Sequence, residues 1–249
     1  MSEMWIILGA SSAMARALAR SFAEDPSGET YRLLLCGRDT DDLARDATDL
    51  ELRGAGAVEV FAFDARHPES QDPILEAARS HDGTLNVAVF AGSMPEQSAI
   101  DEDASLVSGV VTDNFTASAA FLMALAPDMA ARGAGTVVGV GSVAGDRGRL
   151  GNYVYGAAKA GFHTFLSGFR NRMGRVGVHV LTVKPGFVDT AMTWGLEGMF
   201  LVASPAAVAT DIRKGIRKQR NVIYTPFFWI GIMTVIRTVP ERIFKKLQI

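Results

Sequence analysis

Residues 5–16 read Trp-Ile-Ile-Leu-Gly-Ala-Ser-Ser-Ala-Met-Ala-Arg. The four apolar residues at the start predict a short buried strand, Trp5–Leu8, and the small residues after it lead into a stretch of helical period that runs to Phe22. A tight turn at Gly9 before a helix N-terminus presents backbone N–H groups and the positive end of the helix dipole. This order favours a phosphate-binding turn, although small residues between a strand and a helix also serve plain packing.

The same alternation of strand and helix continues along the chain. Further short apolar runs are Arg32–Cys36, Val58–Phe63, Val87–Ala91, Thr136–Val140 and Val178–Val183. Strands that alternate with helices predict βαβ units, and strands that are apolar nearly throughout predict that both of their faces are covered. The expected fold class is therefore α/β, with residues 1–249 forming a single domain around one doubly wound, Rossmann-type parallel sheet with helices on both faces. Ligands of such sheets bind beyond the carboxyl ends of the strands, where the strand order reverses.

Composition argues against several other classes of protein. The 249 residues carry a formal net charge of -2 with dispersed Lys and Arg, so no basic face suited to nucleic acid is expected. The single cysteine, Cys36, cannot form an internal disulfide, and the four histidines have no metal-ligand spacing with it. We therefore expect no metal site and a reducing compartment, and, since no secretory signal precedes Trp5, a cytoplasmic protein.

Two polar residues follow the second and third predicted strands. Arg38 stands where a dinucleotide-binding fold meets the adenosine ribose, and an Arg there can pair with a 2′-phosphate. Arg38 thus favours NADP(H) over NAD(H), the alternative being a solvent-facing Arg. Asp64 could accept a hydrogen bond from the adenine amino group or could simply form a turn.

A proton-transfer pair is predicted in the second half of the chain. Tyr155 and Lys159 are four residues apart in a helical stretch, so both side chains project from one face. A nearby ammonium stabilises phenolate and lowers the phenol pKa, which makes tyrosine a usable acid or base. Ser142 lies thirteen residues before Tyr155, just beyond the strand Thr136–Val140, where it could hold a carbonyl oxygen against the phenol.

These residues, in this order and spacing, resemble the short-chain dehydrogenases/reductases over almost the whole chain. The resemblance implies an NADP(H)-dependent oxidoreductase that transfers hydride between the nicotinamide and a carbonyl or secondary alcohol. Ser142 is expected to orient the substrate oxygen, Tyr155 to transfer the proton, and Lys159 to lower the tyrosine pKa and hold the nicotinamide ribose. Asn114 matches the family's helix Asn and is expected to position a water beside Lys159, the alternative being an Asn bonded to neighbouring backbone.

The resemblance also implies a set of cofactor-binding residues. They are Gly9, Ser11, Ser12, Ala13, Met14, Arg38, Asp64, Ala91, Gly92, Tyr155, Lys159, Pro185, Gly186, Val188 and Thr190. The chain departs from the family pattern at Ala13 and Ala15, where glycines are usual, and at Phe90, where an Asn is usual. The added methyl groups put cofactor affinity in doubt, and Phe90 implies local repacking near the cofactor.

Other activities remain open at this point. A catalytically silent NADP(H)-binding sensor or scaffold would not need Asn114, Ser142, Tyr155 and Lys159 together, and a sugar-nucleotide epimerase would need a larger substrate domain. A weaker resemblance, in residues 146–155 and 239–247, is to reductases of a 2-keto pentose on decaprenyl phosphate. It implies a keto-sugar on a lipid phosphate as the substrate, with a soluble keto compound as the rival. Family members commonly form dimers or tetramers, so a homo-oligomer is expected.

Two segments are predicted to shape the substrate side. Residues 186–203 are loop-like and rich in large apolar side chains, which favours a substrate lid over a packed surface loop. Residues 226–249 form an apolar and basic extension in which Ile243, Phe244 and Leu247 would share one helical face, opposite the basic residues Arg242, Lys245 and Lys246. This pattern predicts peripheral contact with a membrane, unless the segment packs over the pocket or against another subunit. Arg147 and Arg149 could then bind a lipid phosphate.

Overall fold

A computed structural model of the chain describes residues 3–194 and 201–247. Within them, seven parallel strands form one sheet in the order β3-β2-β1-β4-β5-β6-β7. The strands are β1 (Glu3–Leu8), β2 (Tyr31–Gly37), β3 (Val58–Ala62), β4 (Thr84–Val89), β5 (Thr136–Val140), β6 (His179–Pro185) and β7 (Val222–Thr225). The predicted parallel sheet is confirmed, and only β7 among these strands was not predicted.

Helices connect the strands. They are α1 (Ala13–Ala23), α2 (Thr40–Leu52), α3 (Asp72–Arg79), α4 (Gln97–Glu102), α5 (Leu106–Val111), α6 (Ala117–Arg132), α7 (Tyr153–Gly174), α8 (Pro205–Arg217), α9 (Trp229–Thr238) and α10 (Glu241–Phe244). A π-helical turn, Thr112–Thr116, joins α5 to α6, and a 3₁₀ turn, Val143–Asp146, precedes α7. Helix α8 begins as its sequence predicts, because the Ser204 hydroxyl accepts a hydrogen bond from the backbone N–H of Ala207 at 3.2 Å and Pro205 occupies the first helical position.

The core consists of two apolar layers, one on each face of the sheet. Alternate residues of β1 point to opposite faces: Ile6 packs in the layer formed with α3, α6 and α7, and Ile7 packs in the layer formed with α1, α2 and α8. Both residues are fully buried. This two-sided burial explains why the strands are apolar nearly throughout rather than alternating.

The strand order reverses between β1 and β4, which are hydrogen-bonded neighbours although two strands separate them in sequence. The two strands end at Leu8 and Val89, so the turn at Gly9 and the turn after Phe90 lie side by side. A crevice at this edge is the position where open parallel sheets bind ligands.

The continuous helical stretch Leu106–Arg132 is long and apolar enough to cross a membrane by length and composition alone. Half of its most apolar window is buried inside the protein, and Phe121, Leu125 and Met129 belong to one of the two core layers. Within this structure the stretch is a core helix.

The segment after β7 packs beside the 3₁₀ turn that precedes α7. Trp229 and Met233 of α9 are buried against Val143. Arg147 donates to the backbone carbonyls of Ile236 and Val239 at 2.6 and 2.7 Å. This part of the chain is therefore attached to the loop between Ser142 and Tyr155.

The predicted two-faced ending differs from the structure. Helix α10 spans only Glu241–Phe244, and Phe244 is buried beneath the Arg147 guanidinium, whose central carbon lies 3.6 Å from the ring centre. Phe244 therefore does not share an outward face with Ile243 and Leu247, because its contact with Arg147 turns it inward. Arg147 also donates to the Glu241 carboxylate at 2.9 Å. The expectation that Arg147 is free to bind a lipid phosphate is therefore wrong.

Candidate active site

A cavity of about 480 Å³ opens at the carboxyl edge of the sheet. This volume lies within the range typical of small-molecule sites. Predicted residues in its wall are Gly9, Ser11, Ser12, Ala13, Met14, Arg38, Asp64, Ala91, Gly92, Tyr155, Lys159 and Thr190. The structure thus brings most of the expected cofactor and catalytic positions together at the place where the strand order reverses.

The first turn of the cavity wall requires a glycine. Gly9 has a φ of +77°, and a Cβ built on it would lie 2.6 Å from the backbone nitrogen of Ala91. The N–H groups of Gly9 and Ala10 both donate to the carbonyl of Cys36, at 2.9 and 3.0 Å, which holds the turn against β2. Any side chain at position 9 would push apart the ends of β1 and β4.

Helix α1 points its N-terminus at the cavity. Ser12 precedes the helix without a side-chain capping bond, and Ala13 and Met14 of the first turn line the cavity. Backbone N–H groups of this kind suit an anionic phosphate. Ala15, the second departure from the family's glycines, is fully buried in the core layer, so its methyl group packs on the sheet and does not enter the cavity.

Arg38 and Asp64, the two residues expected near the adenosine, both line the cavity. Arg38 is exposed and makes no hydrogen bond or ion pair within residues 3–194 and 201–247, so its guanidinium is available to a ligand. One oxygen of Asp64 accepts a hydrogen bond from the backbone N–H of Arg66 at 2.9 Å, which is the turn-forming role considered for this residue. The turn does not remove Asp64 from the cavity wall.

Tyr155 and Lys159 lie on α7 and are both buried. The Lys159 Nζ lies 5.8 Å from the centre of the Tyr155 ring and donates to the carbonyl of Val140 at 3.3 Å. Only 4% of the lysine surface is exposed, and this burial lowers its pKa to about 8. The charge of Lys159 therefore depends on pH in a range where an ordinary surface lysine stays protonated.

The electrostatics of Tyr155 differ from the expectation. Burial raises its pKa above the ordinary value of 10, while a hydrogen bond from the Ser142 side chain and the charge of Arg149 act to lower it. The sequence predicted a net lowering by Lys159. Desolvation outweighs the favourable neighbours because phenolate loses more hydration than phenol when it is buried.

Asn114 sits in the π-helical turn, 1% exposed. Its amide donates to the carbonyls of Ser93 and Val110 at 2.7 and 2.9 Å, so the backbone-bonded alternative holds for its nitrogen. Its Oδ1 is buried and has no hydrogen-bond partner within the described part of the chain. A Cβ at Gly92 would lie 2.5 Å from this oxygen and 3.2 Å from the Lys159 Nζ, so Gly92 keeps a space open between the two groups.

Ser142 begins the 3₁₀ turn at the end of β5. Its hydroxyl accepts from the N–H of Ala144 at 3.1 Å, and its own backbone N–H donates to the Nε2 of His163 at 3.3 Å. The first bond fixes the hydroxyl, and the second fixes the backbone that carries it. The contact of His163 with Ser142 was not predicted, because an isolated histidine in a long helix has no distinctive spacing.

Three predicted cofactor residues lie behind the cavity wall. Pro185 and Val188 are buried, and Gly186 is packed against α9, where a Cβ would lie 1.9 Å from the indole nitrogen of Trp229. They support the strand end that leads to Thr190, which does line the cavity.

The predicted lid, residues 186–203, is fixed at both described ends. The N–H of Ala203 donates to the carbonyl of Phe187 at 2.9 Å, and the N–H of Asp189 donates to the carbonyl of Ala203 at 3.0 Å. Met192 lines the cavity, and Trp194 is 90% exposed. Residues 195–200, with Leu196, Met199 and Phe200, lie outside the described residues.

Several cavity residues were not predicted. They are Arg16, Gly37, Phe63, Ala65, Ser93, Asp113, Val140 and Gly141. The wall also contains Phe90, which was expected near the cofactor, and Ala191 and Met192 of the predicted lid. Asp113 accepts from the Ser93 hydroxyl at 2.7 Å and from Arg66 at 2.9 and 3.0 Å, which braces the loop after β4. Its position next to Asn114 is the only sequence signal that pointed to it. Within residues 3–194 and 201–247, no group of three His, Cys, Asp or Glu side chains is suited to hold a metal ion.

Comparisons with known proteins agree with this geometry. The family model described as short chain dehydrogenase matches residues 3–199. An uncharacterized oxidoreductase of Mycobacterium tuberculosis is 32% identical over 243 residues, which cover 97% of this chain and 96% of the relative. A short-chain dehydrogenase from Sphingobium yanoikuyae, solved in complex with NADPH, has a TM-score of 0.81 at 23% identity and covers 97% of each chain. The L-sorbose reductase of Gluconobacter frateurii, solved with NADPH and L-sorbose, has a TM-score of 0.78 at 20% identity and covers 90% of this chain and 94% of the other.

Proposed function

Because the chain belongs to the short-chain dehydrogenase family, we propose that it is an NADP(H)-dependent oxidoreductase that transfers hydride between the nicotinamide and a carbonyl or secondary alcohol. The observation that carries the proposal is that Tyr155 and Lys159 line the cavity that begins at Gly9, with the Ser142 side chain hydrogen-bonded to Tyr155. NADPH supplies the hydride when it is bound. Every other task falls to the side chains of the chain itself.

In the direction of reduction, Tyr155 donates the proton. Its pKa lies above the ordinary value of 10, so the phenol is protonated at neutral pH and can give its proton to a carbonyl oxygen that gains negative charge. The Ser142 hydroxyl, held by Ala144, orients that oxygen against the phenol. Lys159, charged below about pH 8, stabilises the phenolate that remains and holds the nicotinamide ribose.

Asn114 completes the proton route in this proposal. Its unpartnered Oδ1 faces the space that Gly92 leaves beside the Lys159 Nζ. A buried acceptor without a partner suits an ordered water. That water would connect Lys159 to solvent and return a proton to Tyr155 after each turnover.

The choice of NADP(H) rests on Arg38. Its exposed, unpaired guanidinium at the end of β2 can form a charge-assisted contact with the 2′-phosphate. Similar solved proteins of Sphingobium yanoikuyae and Gluconobacter frateurii contain NADPH, which supports the same choice here.

The substrate class that we propose is a ketone, with a keto-sugar on a lipid phosphate as the finer candidate. Arg149 supports an anionic group on the substrate, because its buried Nε has no hydrogen-bond partner in the described part of the chain and its charge acts on Tyr155. Arg147 is not available for that role. A soluble keto compound is the rival, and L-sorbose, which is bound in the structure of the similar L-sorbose reductase, is a suitable probe for it. Residues 186–203 would close over either substrate.

The proposal is tested by NADPH oxidation with a panel of ketones that includes L-sorbose, for the unaltered protein, Tyr155→Phe and Tyr153→Phe. Tyr153 lies on the same helix, but its hydroxyl bonds to Asp101 instead of Ser142. We expect Tyr155→Phe to lower turnover by orders of magnitude and to leave the NADPH dissociation constant, measured by calorimetry, nearly unchanged. Near-normal turnover in Tyr155→Phe would remove Tyr155 from the mechanism, and NADPH binding without turnover on any ketone would favour the sensor.

A specific observation favours a membrane surface as the location of the lipid-linked substrate. In the segment after β7, Phe227, Ile230, Val235, Ile243 and Leu247 are exposed. Arg242, Lys245 and Lys246 lie at the same end of the chain, and cations beside exposed apolar side chains suit anionic lipid head groups. The free thiol of Cys36 fits a reducing cytoplasm as the compartment.

Sedimentation with anionic and neutral vesicles tests the membrane contact, with Phe227→Ser/Ile230→Ser as the altered protein. Both side chains point away from the body, so the double variant should fold and should lose vesicle binding. If the unaltered protein stays in the supernatant with both vesicle types, membrane contact is contradicted. A change of oligomeric state in the double variant would instead assign this surface to a second subunit.

A further inference from the structure

The imidazole of His163 is enclosed directly behind Ser142. His163 lies on α7, eight residues after Tyr155, and its side chain is 9% exposed. A Cβ at Gly141 would lie 2.0 Å from its Nε2, and a Cβ at Gly145 would lie 2.7 Å from its Cε1. The two glycines that flank the Ser142 turn therefore leave the space that the imidazole fills.

The contact between His163 and Ser142 fixes the direction of one hydrogen bond. The backbone N–H of Ser142 donates to Nε2 at 3.3 Å, so Nε2 carries no proton and the neutral ring must carry its proton on Nδ1. Nδ1 faces the Asp146 carboxylate at 3.8 Å, an attractive but long contact.

The groups around the imidazole keep it neutral. Burial, Lys184 and Lys159 lower its pKa, the Asp146 carboxylate raises it, and the balance is a pKa of about 3. Asp146 is itself held by the Lys184 Nζ at 2.5 Å and by the Tyr224 hydroxyl at 2.7 Å. The strands β6 and β7 thus fix the carboxylate that faces His163.

We propose that His163 is a positioning residue for Ser142, with Asp146 selecting the tautomer that accepts the serine N–H. The imidazole holds the backbone of Ser142, while the N–H of Ala144 holds its hydroxyl. Loss of the imidazole leaves the serine N–H unpaired and allows the hydroxyl to move relative to Tyr155. The inference rests on the proposed function only for its effect on turnover.

The first test needs no substrate. Nitrogen-15 NMR of the four histidines, with His163 assigned by His163→Gln, reports which ring nitrogen carries the proton. We expect a proton on Nδ1, none on Nε2, and a neutral ring from pH 8 to pH 5. A proton on Nε2, or a ring that is charged at neutral pH, would overturn the proposal, whether or not the protein turns over any ketone.

The second test separates positioning from cofactor binding. We expect His163→Leu to lower kcat by about ten- to hundredfold, as a small misplacement of a catalytic group does. The NADPH dissociation constant should stay within about twofold of that of the unaltered protein. His163→Gln, whose amide oxygen can accept the same N–H, should restore most of kcat and the slow hydrogen exchange of the Ser142 amide.

His179→Leu is the matched control, because the His179 Nε2 also contacts the backbone, at the Arg220 carbonyl 2.9 Å away, but His179 begins β6 at the sheet edge opposite to the cavity. An equal loss of kcat in His179→Leu, or no rescue by His163→Gln, would assign His163 a merely structural role. If His163→Leu does not fold, the tautomer and the kcat of His163→Gln decide the question. Absence of turnover in the unaltered protein would refute the proposed function. The tautomer of His163 would still test whether the imidazole accepts the Ser142 N–H.

Discussion

Arg38 and Lys159 are two cations of the same cavity in opposite environments. Arg38 is exposed to water, so it can bind a phosphate without a prior cost of burial. Lys159 is buried beside Tyr155, and burial lowers the pKa of the lysine as it raises the pKa of the tyrosine. One residue therefore suits selection of the cofactor, and the other suits control of the proton.

Replacement of Arg38 by Ala should remove the preference for NADPH. We expect the NADPH dissociation constant to rise about tenfold, equivalent to about 1.4 kcal/mol, and the NADH constant to stay unchanged. Calorimetric titration measures both. Arg45→Ala is the control, since Arg45 is highly exposed on α2 and forms an ion pair with Asp42, its neighbour on the same helix. Equal affinity of the unaltered protein for the two cofactors would contradict the assignment.

The pKa of Lys159 predicts a pH dependence of cofactor binding. As the pH rises through about 8, the ammonium of Lys159 loses its proton, and the hydrogen bond that we propose it donates to the nicotinamide ribose should weaken. NADPH affinity should therefore fall between about pH 7 and pH 9, a range in which the phosphates of NADPH do not change charge. Lys159→Met should bind NADPH more weakly and without this pH dependence. A persistent fall in Lys159→Met would assign the titration to another group.

At the scale of the elements, the segment after β7 packs against the loop that follows Ser142, and Arg147 makes most of the polar contacts between them. Arg147 satisfies the carbonyls of Ile236 and Val239, pairs with Glu241 and covers Phe244, so one side chain joins α9 and α10 to the site. Carbonyls at helix ends need such partners when they are buried.

Arg147→Met should weaken the attachment of the segment after β7 to this loop. The substitution keeps an apolar stem over Phe244 but removes the donors, so we expect the free energy of unfolding to fall by about 1–3 kcal/mol and amide exchange to accelerate in residues 229–244. Denaturant unfolding and hydrogen exchange measure the two effects. Arg242→Met, an exposed change on α10, should alter neither. Unchanged exchange in Arg147→Met would show that Trp229 and Met233 hold the segment without help.

The elements also show what the sequence could and could not predict. Strands β1, β2, β4, β5 and β6 were predictable because apolar runs reflect burial on both faces of the sheet. Strand β3 is half-buried at the sheet edge and was predicted from its apolar residues alone. Strand β7 escaped prediction because it is a four-residue edge strand whose side chains are mostly half-buried or exposed. In the ending after Pro240, helical periodicity misplaced Phe244, since a single contact with Arg147 decides its direction.

At the site, the spacing of the motifs placed Gly9, Tyr155 and Lys159 correctly around the cavity but could not supply energies. Whether an ammonium lowers a phenol pKa depends on how deeply both groups are buried, and no spacing records burial. The contact of His163 was not predictable for a related reason. Its partner is the backbone N–H of Ser142, and a backbone group has no sequence signature.

At the scale of the whole molecule, the buried imidazole of His163 makes the free energy of unfolding depend on pH. His163 titrates near pH 3 in the folded chain and near pH 6.5 when unfolded, so between these values the unfolded state binds the proton and the folded state does not. Acid therefore favours unfolding over this window. The contribution is at most about 1.4 kcal/mol per pH unit.

His163→Gln should flatten the stability profile between about pH 6.5 and pH 4.5, where most carboxylates still keep their charge. Chemical denaturation at several pH values measures the slope of the free energy of unfolding. The slope of the unaltered protein should be steeper than that of the variant, and the two should become parallel above about pH 7. Parallel profiles over the whole range would show that His163 is charged in the folded state.

The three tryptophans provide an optical consequence of this architecture. Trp5 and Trp229 are buried, whereas Trp194 is almost fully exposed at the described edge of the segment 186–203 and beside the cavity residue Met192. The fluorescence spectrum should therefore contain a red-shifted component from Trp194 alone. Closure of the segment over bound NADPH would shift that component toward the blue and transfer part of its energy to the dihydronicotinamide. Trp194 would thus report the proposed closure, and Trp194→Phe would remove this signal without disturbing the emission of the other two indoles.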